Sequence, residues 1–495
     1  MPINNSEIDK IAGQALKVFE TPGMSVGIIK DGKLIFAKGY GIADIQANTP
    51  VTPDTIFGIA SHTKAYTTAA LAILMDEGKL TWDDKVIDHI PEFRMYDPYV
   101  TREFTIRDLL THRSGLDLGA GDLVMFPNAK ATRADIIATL QHLKPVSSFR
   151  SKFDYDNLLY IVAGEVVTRA SGMPWEDFVA RRIFQPLKMD SCNAVREKLP
   201  ATAPLAKPYM TVNGKLTLTA FQNSDPMSAA GAINCSLVDH AKWIALQLNE
   251  GKLPDGTPIF SEQRHREMWT PNTITSGTAL KNGPYNSHFQ AYGLGWVLSD
   301  VNGQLLVKHS GGLMGMVTYS HLLPEQEMAV IVFTNSMNGG AMVSMSNEIL
   351  DAYLGVDNGN WIETLDTMLS QRKDAADKAV AQIAKNTVGG GTPPLALQAY
   401  AGTYKDAWYG DVTVDKKEDQ LEISFGRSEQ LHGTLKHFQN NTFIVYWDDR
   451  TLEADAYVRF STSFEGSITG IKMKPVSALT DFSFDFQHLD LKRIE

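Results

Sequence analysis

The stretch Thr55-Ile56-Phe57-Gly58-Ile59-Ala60-Ser61-His62-Thr63-Lys64 passes from a β-like run to the head of an apolar segment, residues 69–75. The apolar segment indicates a helix of the protein core. Ser61 and Lys64, three positions apart, would share one face of that helix, with Cβ atoms roughly 5–6 Å apart. A neutral amine at that distance can take the proton of a hydroxyl and so activate a serine nucleophile. The stretch therefore predicts a core helix with a reactive serine at its start.

A second Ser-x-x-Lys match shows that the pattern alone proves little. Ser370-Gln371-Arg372-Lys373 lies in a charged segment, and we interpret it as a coincidence on a solvated helix. Ser61 has its own structural alternative, because serine is favoured as a helix cap, and the residues by themselves leave both interpretations open. Lys64 near a helix N-terminus opposes the helix dipole. The unfavourable interaction of a charged Lys64 with the dipole would be relieved if Lys64 readily loses its proton.

Tyr155-Asp156-Asn157 precedes the apolar segment 158–167. Taken alone, the motif favours a helix start capped by Asp156 or Asn157, with Tyr155 packed against the first turn. The functional alternative is that Tyr155 near a lysine ammonium loses its proton more easily than usual and acts as a base. Asn157 could then hydrogen-bond both the lysine and a substrate amide.

His309-Ser310-Gly311-Gly312 follows a predicted strand at 305–308. Two glycines at a strand end usually indicate a turn. Alternatively, small residues here let a substrate backbone approach and pair with the strand, and one N–H would face that of Ser61 as an oxyanion hole. Lys30-Asp31-Gly32 and Lys281-Asn282-Gly283 show a related Lys-x-Gly pattern and are interpreted as turns.

The order of the remaining segments predicts an α+β fold. A hairpin at 25–40 breaks at Lys30-Asp31-Gly32-Lys33. Helical spacing occurs at 106–110, 158–170, 238–248 and 345–353, and strand patterns occur at 292–298, 304–308, 317–322 and 328–333. We expect one antiparallel sheet, closed by the first and last segments, with helices packed against it.

Composition changes after residue 355. Residues 361–385 are charged and helical, and Gly389-Gly390-Gly391-Thr392-Pro393-Pro394 interrupts regular structure. From residue 400 we identify seven or eight short alternating segments at intervals of roughly ten residues, typical of a small all-β barrel. The predicted domains are an α+β domain at 1–355 that carries the three motifs, a helical linker ending in a Gly/Pro-rich segment at 356–394, and an antiparallel barrel at 395–495.

The bulk composition excludes some partners. A net charge of −11, from 46 basic and 57 acidic residues, argues against nucleic acid and anionic membranes, which are approached through basic patches. No run of about 18 apolar residues predicts a membrane span. The first ten residues lack the apolar core of a signal peptide, so as written the chain is expected in the cytoplasm, or in the periplasm or outside the cell if a signal was trimmed.

Neither metal nor cofactor is implied. The 12 histidines include no HExxH pattern. Asp83-Asp84 and the acidic residues between Asp117 and Asp122 lack calcium-loop spacing and are interpreted as solvated loops. Cys192 and Cys235 form no CxxC pair and are predicted to be buried small residues rather than a disulfide, which leaves the compartment open.

In combination, these motifs resemble the serine β-lactamase and penicillin-binding-protein superfamily, of which Ser-x-x-Lys is a signature. The closer similarity is to its class C-like branch, peptidase family S12, which includes D-aminopeptidases, carboxypeptidases and esterases. The resemblance covers residues 8–355 and includes Ile106-Arg107-Asp108-Leu109-Leu110, Thr111-His112-Arg113-Ser114-Gly115-Leu116 and Tyr292-Gly293-Leu294-Gly295-Trp296. Through Tyr400-Ala401-Gly402-Thr403-Tyr404, the barrel is similar to the lipocalin-like module of some members.

The resemblance implies a role for each motif residue. Ser61 would be the acylating nucleophile, Lys64 its base partner and Tyr155 a second base that serves the leaving group and the deacylating water. Asn157 would orient substrate and Lys64, and the N–H groups of Ser61 and Gly312 would form the oxyanion hole. The other substrate-binding positions implied by the third motif are Ser310 and Gly311, with His309 at its first position.

His309 departs from the lysine usual at that position. Lysine supplies a permanent cation for a substrate carboxylate, whereas histidine is mostly neutral near pH 7. We therefore expect a serine hydrolase that forms an acyl-enzyme, most simply a peptidase or amidase of the D-aminopeptidase type. The alternatives are a carboxylesterase with weak β-lactamase activity and a penicillin-binding sensor without turnover.

The expected partner is a short peptide, amide or ester. Self-association into a homo-oligomer is left open. The barrel is expected to cover the active-site cleft or an oligomer contact, and an apolar ligand inside it is the alternative.

Overall fold

The computed structural model describes residues 1–276, 284–387 and 392–494. The predicted turn Lys281-Asn282-Gly283 and the glycines of the predicted linker, residues 389–391, lie outside these ranges. The helices are α1 Asn5–Val18, α2 Thr63–Asp76, α3 Val86–His89, α4 Pro98–Glu103, α5 Ile106–Leu110, α6 Arg133–Thr139, α7 Leu158–Ser171, α8 Trp175–Val179, α9 Gln185–Leu187, α10 Ser224–Gly231, α11 Leu237–Leu248, α12 Glu262–Met268, α13 Gly340–Leu354 and α14 Trp361–Thr387.

The strands of the first 355 residues form a large sheet and two small pairs. They are β1 Gly23–Lys30, β2 Lys33–Asp44, β3 Thr49–Pro50, β4 Ile56–Gly58, β5 Tyr209–Val212, β6 Lys215–Leu218, β7 Asn234–Ser236, β8 Thr273–Ser276, β9 Gln290–Tyr292, β10 Val297–Val301, β11 Gln304–Leu313, β12 Met316–Leu323 and β13 Met328–Thr334. The large sheet has the order β3-β2-β1-β13-β12-β11-β10-β9-β8. Because β1 pairs with both β2 and β13, the first and last segments close the sheet, and the predicted α+β class is confirmed.

Helices cover both faces of this sheet. Along β13, Val330 and Val332 face the cluster that includes α1 and α13, whereas Ile331 and Phe333 belong to the cluster around α2. Successive strand residues point to opposite faces, so a strand between two helical layers is apolar throughout. All seven residues of β13 are buried accordingly.

Helix α2 lies at the centre of the catalytic half. Every residue from Thr63 to Met75 is buried, as expected for a helix that is apolar on all sides. Its small residues allow close packing against α7 and α10. This position carries Lys64 into the protein core together with the rest of the helix.

The prediction of a single strand at 292–298 is wrong. These residues belong to two strands, β9 and β10, which are joined by a tight turn in which Gly295 has φ +83°. A Cβ on Gly295 would lie 3.0 Å from the Ala65 Cα atom, so the turn also needs glycine for its packing on α2. An alternating pattern does not reveal such a turn, because both strands keep the same period.

The prediction for the cysteines is wrong as well. Cys192 and Cys235 are joined by a disulfide, with Cα atoms 4.1 Å apart. Their neighbours Asn193 and Asn234 form a β-bridge that brings the two segments together. The two cysteines are 43 positions apart in the sequence, so local sequence patterns do not reveal this contact.

The C-terminal residues form a closed barrel of the eight antiparallel strands β14 Gly402–Asp406, β15 Gly410–Lys417, β16 Gln420–Phe425, β17 Ser428–Gln439, β18 Thr442–Trp447, β19 Ala456–Thr462, β20 Ile468–Pro475 and β21 Leu491–Arg493. Large rings fill its interior, with Phe443 and Phe460 5.6 Å apart and Phe425 and Trp447 also 5.6 Å apart between centroids. A barrel of this size can be filled by side chains, and this packing favours a structural role. No described helix has the length and apolarity needed to cross a bilayer.

Candidate active site

Ser61 lies in a short 3-10 turn, Ala60–His62, between β4 and α2. Ala60 has φ +49°, a left-handed conformation that is costly for a residue other than glycine. The turn leaves Ser61 half-buried at the edge of a cavity, whereas Ala60 and His62 are buried. His62, not Ser61, occupies the cap position of α2, so the helix-cap interpretation of Ser61 is wrong.

Lys64 is the central contact of the site. Its Nζ atom lies 3.2 Å from Ser61 Oγ, 2.7 Å from Asn157 Oδ1 and 2.9 Å from the Ala230 carbonyl oxygen. Burial lowers the pKa of Lys64 to about 7, against the attraction of Asp122 and Asp156. Near neutral pH the amine therefore exists in both protonation states, and its neutral form can accept the Ser61 proton.

Tyr155 contacts the same pair. The Lys64 Nζ atom lies 4.8 Å from its ring centroid, and the Ser61 side chain acts on its phenol. The prediction that Tyr155 loses its proton easily is wrong in direction, because burial raises the pKa of the phenol and the interaction with Ser61 only partly opposes this. Tyr155 is thus a neutral hydroxyl that can pass a proton on.

Asn157 joins Lys64 to a carboxylate that sequence reasoning did not select. Its side chain makes no cap bond to α7. Instead Oδ1 accepts from Lys64, and Nδ2 donates to Asp122 Oδ2 at 2.8 Å. Asp122 is fully buried, so its interpretation as part of a solvated loop is wrong. A charged residue in a loop carries no local signal of what encloses it.

His309 lies on β11, beside the turn that carries Ser61. Its Nδ1 atom is 2.6 Å from the Ser310 carbonyl oxygen and its Nε2 atom 2.9 Å from the Tyr292 hydroxyl. A carbonyl only accepts, so Nδ1 carries the proton and Nε2 accepts from Tyr292. Burial, with His62 and Lys64 nearby, lowers the pKa of His309 to about 3. The position therefore holds a neutral ring at working pH.

The strand after His309 has a free edge. β11 pairs with β12 along residues 307–313, but its pairing with β10 ends at Lys308. A Cβ on Gly311 would lie 2.3 Å from the Ile59 carbonyl oxygen, whereas one on Gly312 would meet nothing within 4 Å. Gly311 thus allows the strand to touch the turn that carries Ser61, and Gly312 leaves room for a ligand backbone beside it.

All these groups face one cavity of about 550 Å³. Its apolar lining includes the side chains of Met125, Phe126, Phe153, Met210, Met227, Leu313, Met314, Leu479, Phe482 and Phe484. Acidic residues, Glu453 and Asp481, also line it. Five of these twelve, from Glu453 onward in the chain, come from the barrel half, so the barrel covers part of the cleft as expected.

The structure brings every predicted site residue to this cavity or to its wall. Ser61, Tyr155, Asn157, His309, Ser310, Gly311 and Gly312 line it, and Lys64 lies behind Ser61 and Asn157. Sequence reasoning missed Asp122, the Ala230 carbonyl and the barrel residues. Tyr292 is the first residue of the motif Tyr292-Gly293-Leu294-Gly295-Trp296, and that motif could have identified it as a site residue.

Comparison with known proteins shows the family. A family model described as Beta-lactamase matches residues 8–354. The chain belongs to the beta-lactamase family. It is a serine hydrolase of that family, related to named hydrolases. A second model, described as a domain of unknown function (DUF3471), matches residues 387–493.

The chain is similar to two named proteins and, in fold, to one solved structure. The unguisins hydrolase of Aspergillus campestris is 29% identical over 433 residues, which cover 83% of this chain and 77% of that protein. Protein flp of Staphylococcus aureus is 29% identical over 349 residues, 67% of this chain and 63% of flp. The structure of an octameric penicillin-binding protein homologue from Pyrococcus abyssi superposes with TM-score 0.64 at 21% identity, covering 99% of this chain and all of that one.

Proposed function

We propose that this beta-lactamase-family protein is a peptidase or amidase of the D-aminopeptidase type, which acts on short peptides through an acyl-enzyme on Ser61. One observation carries the catalytic part: the Lys64 amine, whose pKa burial lowers to about 7, lies 3.2 Å from Ser61 Oγ. A lysine that is half neutral near pH 7 meets the requirement for a general base.

In the first step, Ser61 Oγ attacks the substrate carbonyl carbon and its proton passes to Lys64 Nζ. Asn157 Oδ1 and the Ala230 carbonyl hold the ammonium that forms, since both accept from Nζ. The N–H groups of Ser61 and Gly312 receive the negative charge on the substrate oxygen. Gly312 suits this role because its Cα is open to the cavity.

In the second step, the bond to the leaving amine breaks and that amine must gain a proton. Tyr155, which remains a neutral phenol, donates its proton to the amine while it takes one from Lys64. Water then attacks the acyl carbon and gives a proton to Tyr155 and Lys64, which pass a proton to Ser61 Oγ as its bond to the acyl carbon breaks. Tyr155 is suited to this relay because it lines the same cavity as Ser61 and its ring lies 4.8 Å from Lys64 Nζ.

The charge of the cavity supports the choice of substrate. Among the described lining residues, Glu453 and Asp481 are acidic and none is a lysine or an arginine, and His309 is neutral. Outside this lining, Lys373 and Arg450 act to lower the pKa of Glu453, whereas no cation acts on Asp481 in this way. Burial raises the pKa of both acids, and a substrate ammonium placed beside them would lower it again. A free amine near the scissile bond is thus favoured over a carboxylate.

A substrate panel tests this proposal. We expect the fastest turnover with p-nitroanilides of D-amino acids that carry a free amine, and at least a tenfold loss of kcat/KM when that amine is acetylated. Short p-nitrophenyl esters and nitrocefin serve as comparison substrates. Preferential turnover of esters would instead identify a carboxylesterase, and a stable adduct in intact-protein mass spectrometry would identify a sensor.

We also propose the division of the chain into a hydrolase domain at 1–355, a linker at 356–394 and a barrel at 395–495. Helix α14 occupies most of the proposed linker. Limited proteolysis should cleave first within 356–394, and a first cut inside the barrel would contradict the division.

Self-association is a further part of this proposal. The Pyrococcus abyssi homologue, which shares the fold, is octameric. Light scattering coupled to gel filtration should then give a mass above 54.6 kDa, and a mass equal to it would identify a monomer.

A further inference from the structure

A segment of the barrel half enters the catalytic cleft. We call residues 479–488, between β20 and β21, the barrel-end segment. Leu479, Phe482, Ser483 and Phe484 line the cavity, and the Phe484 ring packs on Phe126 with centroids 5.0 Å apart. The segment therefore forms part of the cavity wall that faces Ser61.

Ser483 makes the most specific contact of this segment. Its hydroxyl donates to Asp122 Oδ2 at 2.9 Å, and the same oxygen accepts from Asn157 Nδ2 at 2.8 Å. The other carboxylate oxygen, Oδ1, is buried and has no hydrogen-bond partner among the described residues. The Asp122 carboxylate is thus held by one donor from each half of the molecule.

The barrel-end segment also holds the backbone on both sides of Asp122. The buried Asp485 carboxylate accepts from the N–H groups of Gly121 at 2.7 Å and Leu123 at 3.0 Å. His488 lies 3.0 Å from Asp485 and 3.1 Å from Asp117, which fixes that carboxylate in turn. Main chain and side chain of Asp122 are consequently both placed by the barrel half.

Asp122 decides which end of the Asn157 amide faces Lys64. Because Asp122 Oδ2 accepts from Asn157 Nδ2, the amide presents its oxygen, not its nitrogen, to Lys64 Nζ. That oxygen keeps Nζ against Ser61 Oγ. A continuous line of hydrogen bonds therefore runs from Ser483 through Asp122 and Asn157 to Lys64.

We propose that Ser483 is a positioning residue for hydrolysis: the barrel half supplies a hydroxyl that orients Asp122 and Asn157 and thereby sets Lys64 against Ser61. The inference rests on the proposed function, because it assumes that Lys64 is the base. It makes the catalytic site a product of both halves of the chain rather than of the first 355 residues alone.

The expected signature of Ser483 includes a change in pH dependence. Burial and the nearby Asp485 carboxylate raise the pKa of Asp122, and the hydrogen bonds from Asn157 and Ser483 oppose this rise. Without the Ser483 hydroxyl, the pKa of Asp122 rises further and its charged form becomes less populated. A weaker negative charge at Asp122 attracts the Lys64 ammonium less, so the Lys64 pKa falls. The other titratable groups around Lys64 stay in place, namely Tyr155, Asp156, Tyr160, His112 and His309.

The test compares three substitutions in the full-length protein with a p-nitrophenyl ester. We expect Ser483→Ala to lower kcat about five- to tenfold, to change KM less than twofold, and to move the acidic limb of the pH profile to lower pH. Ser483→Thr keeps the hydroxyl and should restore the parent kcat and the parent position of the acidic limb. Ser428→Ala is the matched control, since Ser428 also donates from the barrel to the same loop, at the Pro127 carbonyl, and should leave them unchanged.

Two results would overturn the inference. The first is a Ser483→Ala enzyme with the parent kcat and pH midpoint. The second is an equal loss in Ser483→Ala and Ser428→Ala, with a lower melting temperature and an unmoved pH midpoint, which would reduce Ser483 to a docking contact. If Ser483→Ala does not fold, Ser483→Cys, a weak donor, should give an intermediate kcat, and parent kcat there counts against the inference.

Failure of the proposed function would look different. In that case fluorophosphonate labelling would survive Ser61→Ala, whatever the Ser483 variants do. Labelling that depends on Ser61 together with an indifferent Ser483 would reject the positioning role alone.

Discussion

The chain contains the same four-residue pattern twice, and the two copies have different chemistry. Ser61 and Lys64 lie at the head of α2, where Lys64 is completely buried. Ser370 and Lys373 lie in α14, where the Lys373 side chain is 68% exposed and pairs with Asp377 at 2.6 Å. Identical spacing therefore gives a candidate catalytic pair in one place and a surface ion pair in the other.

The pKa values of the two lysines are shifted in opposite directions. Burial lowers the pKa of Lys64 to about 7, whereas the hydrogen bond with Asp377 raises that of Lys373. Ser370 Oγ lies 3.5 Å from Asp366 Oδ1, whereas Ser61 Oγ lies 3.2 Å from Lys64 Nζ. What activates a serine is the removal of water from the lysine, and spacing alone does not provide it.

Replacing the two serines should give the largest contrast. We expect Ser61→Ala to lower ester hydrolysis by about 10⁴-fold or more and to abolish fluorophosphonate labelling, because the nucleophile is lost. Ser370→Ala should match the parent enzyme in both assays. Labelling that persists in Ser61→Ala would remove the basis of the comparison.

Replacing the two lysines should give the next largest contrast. Lys64→Met keeps the length of the side chain but removes the base, and kcat/KM should fall by about 10²- to 10⁴-fold. Lys373→Met, on the exposed helix, should stay within about twofold. Similar rates in the two variants would show that burial of the amine is irrelevant to catalysis.

The pH profile sharpens the comparison further. Since neutral Lys64 is the base, kcat/KM should rise with pH to a plateau, with a midpoint near the Lys64 pKa of about 7 and roughly a tenfold loss for each pH unit below it. Lys373→Met should leave this limb in place. An acidic limb centred near 4 would instead indicate a carboxylate base.

The smallest effect concerns the surface pair. Asp377→Asn should reduce the free energy of unfolding by about 0.3–0.5 kcal/mol, as for an exposed pair four residues apart on a helix. Urea denaturation measures the difference, which should shrink in high salt. A loss of several kcal/mol would mean that Lys373 is not the solvated residue described above.

Local patterns in the sequence predicted most elements well. The hairpin broken at Lys30-Asp31-Gly32-Lys33 is β1 and β2, the apolar segment after Asn157 is α7, and the short alternating segments after residue 400 form the barrel. These elements depend on periodicity and turn residues close together in the chain. Predictions that depended on distant contacts failed, as for Cys192 with Cys235 and for the burial of Asp122.

The sequence by itself determined the elements and the residue types available for chemistry: a serine and a lysine one helical turn apart, a tyrosine and an asparagine before a second helix, and a histidine on a strand. Only the tertiary structure decided which Ser-x-x-Lys pair is buried, that Tyr155 stays a neutral phenol, and that Ser483 reaches Asp122 from the barrel. The physical reason is that protonation and orientation depend on desolvation and on partners hundreds of residues away, and neither leaves a mark in the local sequence.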